Sequence, residues 1–141
     1  MSHVAKIQVQ IKSLEALQAA CDRLGLVFIE GQQNYKWFGK YMGDSKLPEG
    51  FSAADLGKCT HAIKVPGASY EIGVVQSLDG QWHLLWDSWR TGGLVKILGQ
   101  NAEHLVQAYS IEAARLAAQA QGYSCYEEPL EDGTVKLHVT V

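Results

Sequence analysis

Four polar residues in the middle of the chain are the best candidates for a small metal site. Cys59 and His61 are two positions apart, so on a strand their side chains would share one face. His83 and Asp87 lie in a second strand-like segment, and either could supply a third ligand. Thiolate, imidazole and carboxylate are ligands that zinc binds in proteins. These residues define the candidate for a small metal-dependent enzyme.

A structural interpretation of the same residues is preferred. A cysteine outside a reactive environment usually packs as a small hydrophobe, and His61 would then be an ordinary surface residue. The chain carries no phosphate loop, dinucleotide fingerprint, HExxH helix, Gly-x-Ser-x-Gly elbow or paired Cys/His spacing. We therefore expect a protein that is not an enzyme, without catalytic residues, a bound metal or a cofactor.

Aromatic side chains next to positive charge point more directly to function. One such cluster lies in residues 35–41, and another lies in residues 82–90, just before a glycine pair. Tryptophan, tyrosine and arginine are the usual anchors of protein interfaces. We predict a ligand- or partner-binding surface formed by five residues: Lys36, Trp37, Tyr41, Trp89 and Arg90.

Three functions are compatible with such a surface. The preferred one is a small adaptor that binds a protein partner or associates with itself. The alternative is an oligomer that binds or sequesters a small anionic ligand such as a nucleotide, with Lys36, Lys40 and Arg90 on the phosphate and the rings stacked on the base. The metal-dependent enzyme is the third. The lysines also have a purely structural interpretation, in which they lie on an exposed edge strand and deter association between sheets.

Composition limits the class of protein. The 141 residues are 47% hydrophobic and 19% charged, which suits one domain spanning residues 1–141. The net charge of -3 argues against nucleic acid as a partner. No apolar run is long enough for a membrane span. The three cysteines are odd in number and lack paired spacing, so we expect reduced thiols and a cytoplasmic location.

Periodicity predicts the elements that position these residues. Residues 5–11 alternate apolar and polar, which is typical of a strand. A helix capped by Ser13 and ended by Gly25 then leads into a strand at residues 26–29. An aromatic strand is predicted at residues 35–42, inside a stretch that glycines interrupt repeatedly.

The clearest element is a hairpin of residues 70–76 and 81–87, which a strand at 60–65 precedes. An Asp-Gly pair at its tip is what a two-residue type I′ turn requires. That turn would pair Gly73 with Trp86 and leave room for the indole in the core.

A second Asp-Gly pair, at 132–133, predicts another hairpin, formed by residues 123–128 and 135–141. The same two-residue turn would place Glu127 opposite His138 as a cross-strand ion pair.

Between the hairpins, apolar residues recur every three or four positions over residues 102–121, which predicts a long helix. Residues 94–98 form a separate helical turn, and Asn101 would cap the long helix. Strands that meet in hairpins and are separated by two main helices indicate an α+β fold. We expect an antiparallel or mixed sheet with both helices packed on one face.

Short motifs follow one another in a recognisable order over nearly the whole chain. They include Ser-Leu-Glu-Ala-Leu in the first helix, Tyr-Glu-Ile-Gly at 70–73, Gly-Tyr at 122–123 and the final Asp-Gly with its closing strand. In this order the chain resembles the hypothetical chloroplast reading frame thirty-five family, an uncharacterised family of plastids and cyanobacteria with relatives in other bacteria and viruses. The chain departs from that pattern at residues 31–58, which are long and aromatic. The resemblance implies a shared fold and carries over no activity.

Overall fold

The computed structural model describes residues 3–43 and 46–141, and its centre is a five-stranded antiparallel sheet. The strands are β1 (Val4–Lys6), β2 (Val27–Glu30), β3 (His61–Lys64), β4 (Glu71–Gln76) and β5 (Trp82–Asp87). They lie in the order β1-β5-β4-β3-β2. The helices are α1 (Leu14–Leu24), α2 (Leu94–Leu98) and α3 (Glu103–Ala120), and β6 (Ser124–Pro129) pairs with β7 (Val135–Thr140) in a second sheet. The α+β class is confirmed.

Helices α1 and α3 pack together on one face of the five-stranded sheet, as predicted. The Ser13 side chain accepts a hydrogen bond from the Ala16 N–H (3.0 Å), and Gly25 ends α1 in the left-handed conformation at φ 73°. The periodic apolar residues of both helices meet those of the sheet in the larger core. Trp86 lies in this core with 3% of its surface exposed, which confirms its predicted burial.

The other face of the sheet is covered by residues 31–43 and 46–58, which are largely irregular. The aromatic strand predicted at residues 35–42 is wrong, because none of these residues lies in a strand, and the isolated bridge just before them joins Asn34 to Lys58 within the same segment. Tyr35 is buried here and lies over Gly73. This second, smaller core consists of Val4, Tyr35, Leu56, Ala62 and Leu85, with half-buried neighbours around it.

The central hairpin is present, but its predicted register is wrong by one residue. Gly73 pairs with Leu85, not with Trp86. The Ser77 N–H donates to Gln81, so the loop has three residues, and its last residue, Gly80, is left-handed at φ 84°. The observed register places Ile72, Val74, Leu84 and Trp86 on the face that the helices cover, and it places Gly73 on the opposite face.

The hairpin of β6 and β7 shows the same shift. Its loop also has three residues, ending at Gly133 with φ 86°, so Tyr126 and not Glu127 lies opposite His138. The predicted pair of Glu127 with His138 is therefore wrong. Glu127 instead forms an ion pair with Arg23 of α1 and another with Arg115 of α3, which tie this hairpin to the helices.

Two boundaries differ from those predicted. Strand β1 is shorter than residues 5–11, because the chain leaves β5 after Ile7 and meets it again only at a bridge between Ile11 and Trp82. Asn101 does not cap α3. That position is occupied by Ala102 in a left-handed conformation (φ 56°), and the Glu103 carboxylate accepts the Asn101 N–H instead.

Candidate functional site

Asp87, at the end of β5, is a fully buried carboxylate (0% exposed). Its Oδ1 accepts backbone N–H groups from His3 (3.0 Å) and Trp89 (3.1 Å), and its Oδ2 accepts the N–H of Phe38 (3.0 Å). Hydrogen bonds to an ionised oxygen are stronger than those between neutral groups. One side chain thus fixes three separate stretches of backbone at this end of the sheet.

Glu71, at the start of β4, holds the same irregular segment at a second point. It is 5% exposed, and its Oε1 accepts the Lys36 N–H and the Gln32 side-chain amide, each at 3.0 Å. The Glu71 N–H in turn donates to the Lys36 carbonyl (2.9 Å). These bonds supply the backbone partners that strand pairing would otherwise provide.

We call residues 36–42 the anchored loop, because the two carboxylates fix its first residues to the sheet. Its backbone is held, yet several of its side chains point to solvent. Phe38 is 41% exposed and Met42 is 48% exposed, and the lysines at 36 and 40 are exposed as well. The loop contains no carboxylate, so it is a positive, apolar surface on a protein of negative net charge.

Trp37 is half-buried and does not stand free on the surface. Its indole packs so closely on Gly57 that a β-carbon at that position would overlap the ring. Gly57 also has φ 84°, which side chains rarely adopt. The Trp37 ring therefore holds the loop in place, while part of it remains accessible.

Trp89 and Arg90 follow β5 and lie next to the backbone that Asp87 binds. The Trp89 ring is 5.1 Å from the His3 ring, and the Arg90 guanidinium lies 5.7 Å from the Trp89 ring centre. Trp89 is half-buried and Arg90 is exposed. Because Asp87 binds both Phe38 and Trp89, the structure brings the two sequence clusters to one end of the sheet.

Tyr41 is half-buried against the smaller core, like Trp37. Tyr35, just before the anchored loop, is buried deeply enough that its pKa rises to about 12, so its hydroxyl stays neutral. Of the five predicted residues, Lys36 and Arg90 are exposed, while Trp37, Tyr41 and Trp89 are half-buried.

Cys59 and His61 do not share a face. Both Thr60 and His61 oppose Val74 at a bulge in the β3–β4 ladder. Cys59 consequently packs in the smaller core, whereas His61 stacks on Trp82 on the helix face, with 5.5 Å between ring centres. Burial raises the pKa of Cys59 to about 11, so its thiol stays protonated at neutral pH.

His83 and Asp87 are also apart. They lie four residues apart on β5, which separates them by about 13 Å along the strand. Both Asp87 oxygens already accept backbone N–H groups. In the described ranges, no three His, Cys, Asp or Glu side chains come together as a metal site.

Sequence reasoning missed Phe38, Met42 and Glu71, and it considered Asp87 as a metal ligand and not as an acceptor for backbone N–H groups. Glu71 and Asp87 sit at strand ends in a pattern that also suits solvent-exposed residues, so only the tertiary structure reveals their burial. Phe38 lies within the aromatic cluster, but the prediction favoured the neighbouring Lys36 and Trp37, because a charge and an indole are more typical of binding sites than a phenyl ring. An acidic residue among apolar strand positions, as in the run Trp-His-Leu-Leu-Trp-Asp, is the one available signal.

Comparison with protein-family models, curated proteins and solved structures found no match. Among the described residues, no helix has the length and apolar character needed to cross a membrane. The function is therefore inferred from the chemistry of this chain alone.

Proposed function

We propose that the protein is a non-enzymatic adaptor that binds a protein partner through the anchored loop and the adjoining Trp89 and Arg90. The observation that carries this proposal concerns Phe38. Its backbone N–H is held by the buried Asp87 carboxylate, whereas 41% of the residue is exposed. Because the backbone of this residue is already fixed, less conformational entropy is lost when its exposed ring binds a partner.

The chemistry of the surface indicates the kind of partner. Exposed Phe38 and Met42 suit an apolar pocket, and the lysines at 36 and 40 and Arg90 suit carboxylates at its border. The partner we propose is a protein with an apolar pocket bordered by acidic residues. A second copy of this chain and a different protein are two outcomes that the experiment separates.

The nucleotide-binding alternative is less well supported at this surface. Stacking a base requires an open ring face, but the Trp37 ring packs on Gly57 and the Trp89 ring lies against His3 and Arg90. Shared ancestry with the reading frame thirty-five family remains a proposal that rests on the motif order. A cytoplasmic location is supported by the three cysteines, which are all thiols.

Site-specific photocrosslinking tests the surface. A photoreactive phenylalanine analogue is placed at position 38, or at position 78 as a matched control. Leu78 is also apolar and fully exposed, but it lies at the tip of the central hairpin. We expect one discrete adduct from position 38 in cells that express the protein naturally, and none from position 78. Mass spectrometry of the adduct tells a second copy from another protein.

A competition experiment checks the assignment of the surface. Excess Phe38→Ser protein should fail to suppress the adduct, whereas excess Leu78→Ser protein should suppress it as well as the wild type does. Equal adducts from both positions, or equal competition by both variants, would reject the anchored loop as the contact surface.

A further inference from the structure

An open cleft of about 790 Å³ lies at the opposite end of β5 from the anchored loop. It forms where the chain leaves β5 after Ile7 and returns at the bridge between Ile11 and Trp82. Ile7 bonds to Leu84, so regular antiparallel pairing would place residue 9 opposite Trp82. Ile11 lies there instead, which leaves two extra residues between the two contacts. The gap in the ladder is therefore built into the fold, and its volume is in the range of small-molecule sites.

Basic and amide side chains surround the gap. The polar lining consists of Lys6, Gln8, Gln10, Lys12, Gln81 and His83, and Trp82 adds an aromatic surface. Among the described residues no carboxylate lines it, although acidic residues outnumber lysine and arginine by 15 to 12 in the whole chain. Three other clefts, of about 720, 450 and 440 Å³, are each lined by a carboxylate: Glu30, Asp55 or Glu71. A smaller cleft of about 180 Å³, which shares Lys6 and Gln8 with this one, has none among the described residues.

Lys6 and His83 lie together at one side of the cleft, around the ring of Phe51. The Lys6 ammonium is 5.5 Å from the Phe51 ring centre, and the His83 ring is 5.9 Å from it. Burial and the Lys6 charge lower the pKa of His83, while Asp79 acts weakly in the other direction. Among the described residues Lys6 forms no ion pair, so its charge is available to an anion.

We infer that this cleft binds a small organic phosphate with a planar ring, the phosphate on Lys6 and Lys12 and the ring against the face of Trp82 on which His61 does not stack. The glutamines supply donors and acceptors for the remaining polar atoms. The site is separate from the anchored loop, because β5 places about 17 Å between its two ends. Its test is therefore independent of the adaptor proposal.

Titration with adenosine 5′-monophosphate (AMP), followed by NMR, tests the site. AMP should saturate at millimolar concentration or below and shift the indole signal of Trp82 more than that of Trp86. The bound phosphate should also raise the pKa of His83, because a nearby anion favours the imidazolium. Adenosine, which lacks the charge, and ribose 5-phosphate, which lacks the base, should each bind more weakly.

Two lysine variants provide the matched comparison. Lys6→Met keeps the aliphatic stem near Phe51 but removes the charge, and it should weaken AMP binding about tenfold. Lys96→Met removes the same charge from an exposed position on α2, outside the cleft, and should leave binding unchanged. The inference is overturned if AMP does not saturate, if adenosine or ribose 5-phosphate binds equally well, or if both variants weaken AMP binding equally.

Discussion

The two faces of the five-stranded sheet are covered in different ways. On the helix face, α1 and α3 bring apolar side chains at helical spacing against the alternating residues of the strands. On the loop face, residues 31–43 and 46–58 pack a smaller apolar core, but the first part of their backbone is attached by the carboxylates of Glu71 and Asp87. The helix face is stabilised by periodic apolar contacts, whereas the start of the segment on the loop face is held by two individual carboxylates.

This difference explains where exposed apolar residues are tolerated. A helix must bury its apolar stripe to be stable, so the helix face has little freedom to display aromatic rings. Carboxylates that bind backbone N–H groups place no demand on the neighbouring side chains, so Phe38 can be fixed and exposed at once. The loop face is therefore the side on which a binding surface can form.

The largest effect should come from the helix face. Trp86→Ala removes a large ring that is 3% exposed and should lower the free energy of unfolding by about 3–5 kcal/mol. Denaturant titration measures this change. A loss below that caused by Trp89→Ala, at a half-buried position, would contradict the assignment of the main core to this face.

A smaller loss is expected where the sheet meets Tyr35. Gly73→Val would push a side chain into the Tyr35 ring and should cost about 2–3 kcal/mol through overpacking. Combining it with Tyr35→Ala should give less than the sum of the two single losses, since the clash disappears. Strict additivity in denaturant titrations would show that Gly73 faces another residue.

The anchoring bonds can be weakened without changing shape. Asp87→Asn replaces one acceptor oxygen by an NH₂ group, which leaves at least one of the three backbone N–H groups unbound. We expect a loss of about 1–2 kcal/mol and faster amide exchange at Phe38, with little change in the α3 amides. Glu49→Gln, an exposed carboxylate in the same long segment, is the control and should change neither quantity.

The smallest effect should appear at the edge of the proposed surface. Trp89→Ala removes a half-buried ring beside His3 and Arg90 and should cost roughly 1 kcal/mol or less, while reducing the crosslink from position 38. Thermal unfolding and the crosslinking yield check the two parts. A large loss of stability with an unchanged yield would make Trp89 a core residue.

Much of the helix face could be predicted from the sequence. The cap at Ser13, the left-handed Gly25 and the burial of Trp86 all follow from local patterns, and all are present. Both Asp-Gly turns were also located correctly. The predicted registers are wrong because an Asp-Gly pair also suits a three-residue loop, in which only the glycine needs a positive φ. In both loops the Asp carboxylate accepts the backbone N–H of the residue two positions later.

The loop face could not be predicted in the same way. The aromatic residues at 35–42 have high strand propensity, yet their backbone is bound by carboxylates from β4 and β5, whose positions depend on the folded sheet. The bulge at Thr60 and His61, which separates Cys59 from His61, is likewise a product of strand pairing. Long-range polar contacts leave no periodic signal in the sequence.

Native-state hydrogen exchange at the Phe38 amide tests the central claim most directly. This N–H belongs to an exposed residue outside any strand, but it donates to a fully buried carboxylate. We predict strong protection, similar to that of amides within the sheet, and its loss in Asp87→Asn. Exchange at the rate of an unstructured peptide would mean that the loop is not anchored and that Phe38 is not held ready for a partner.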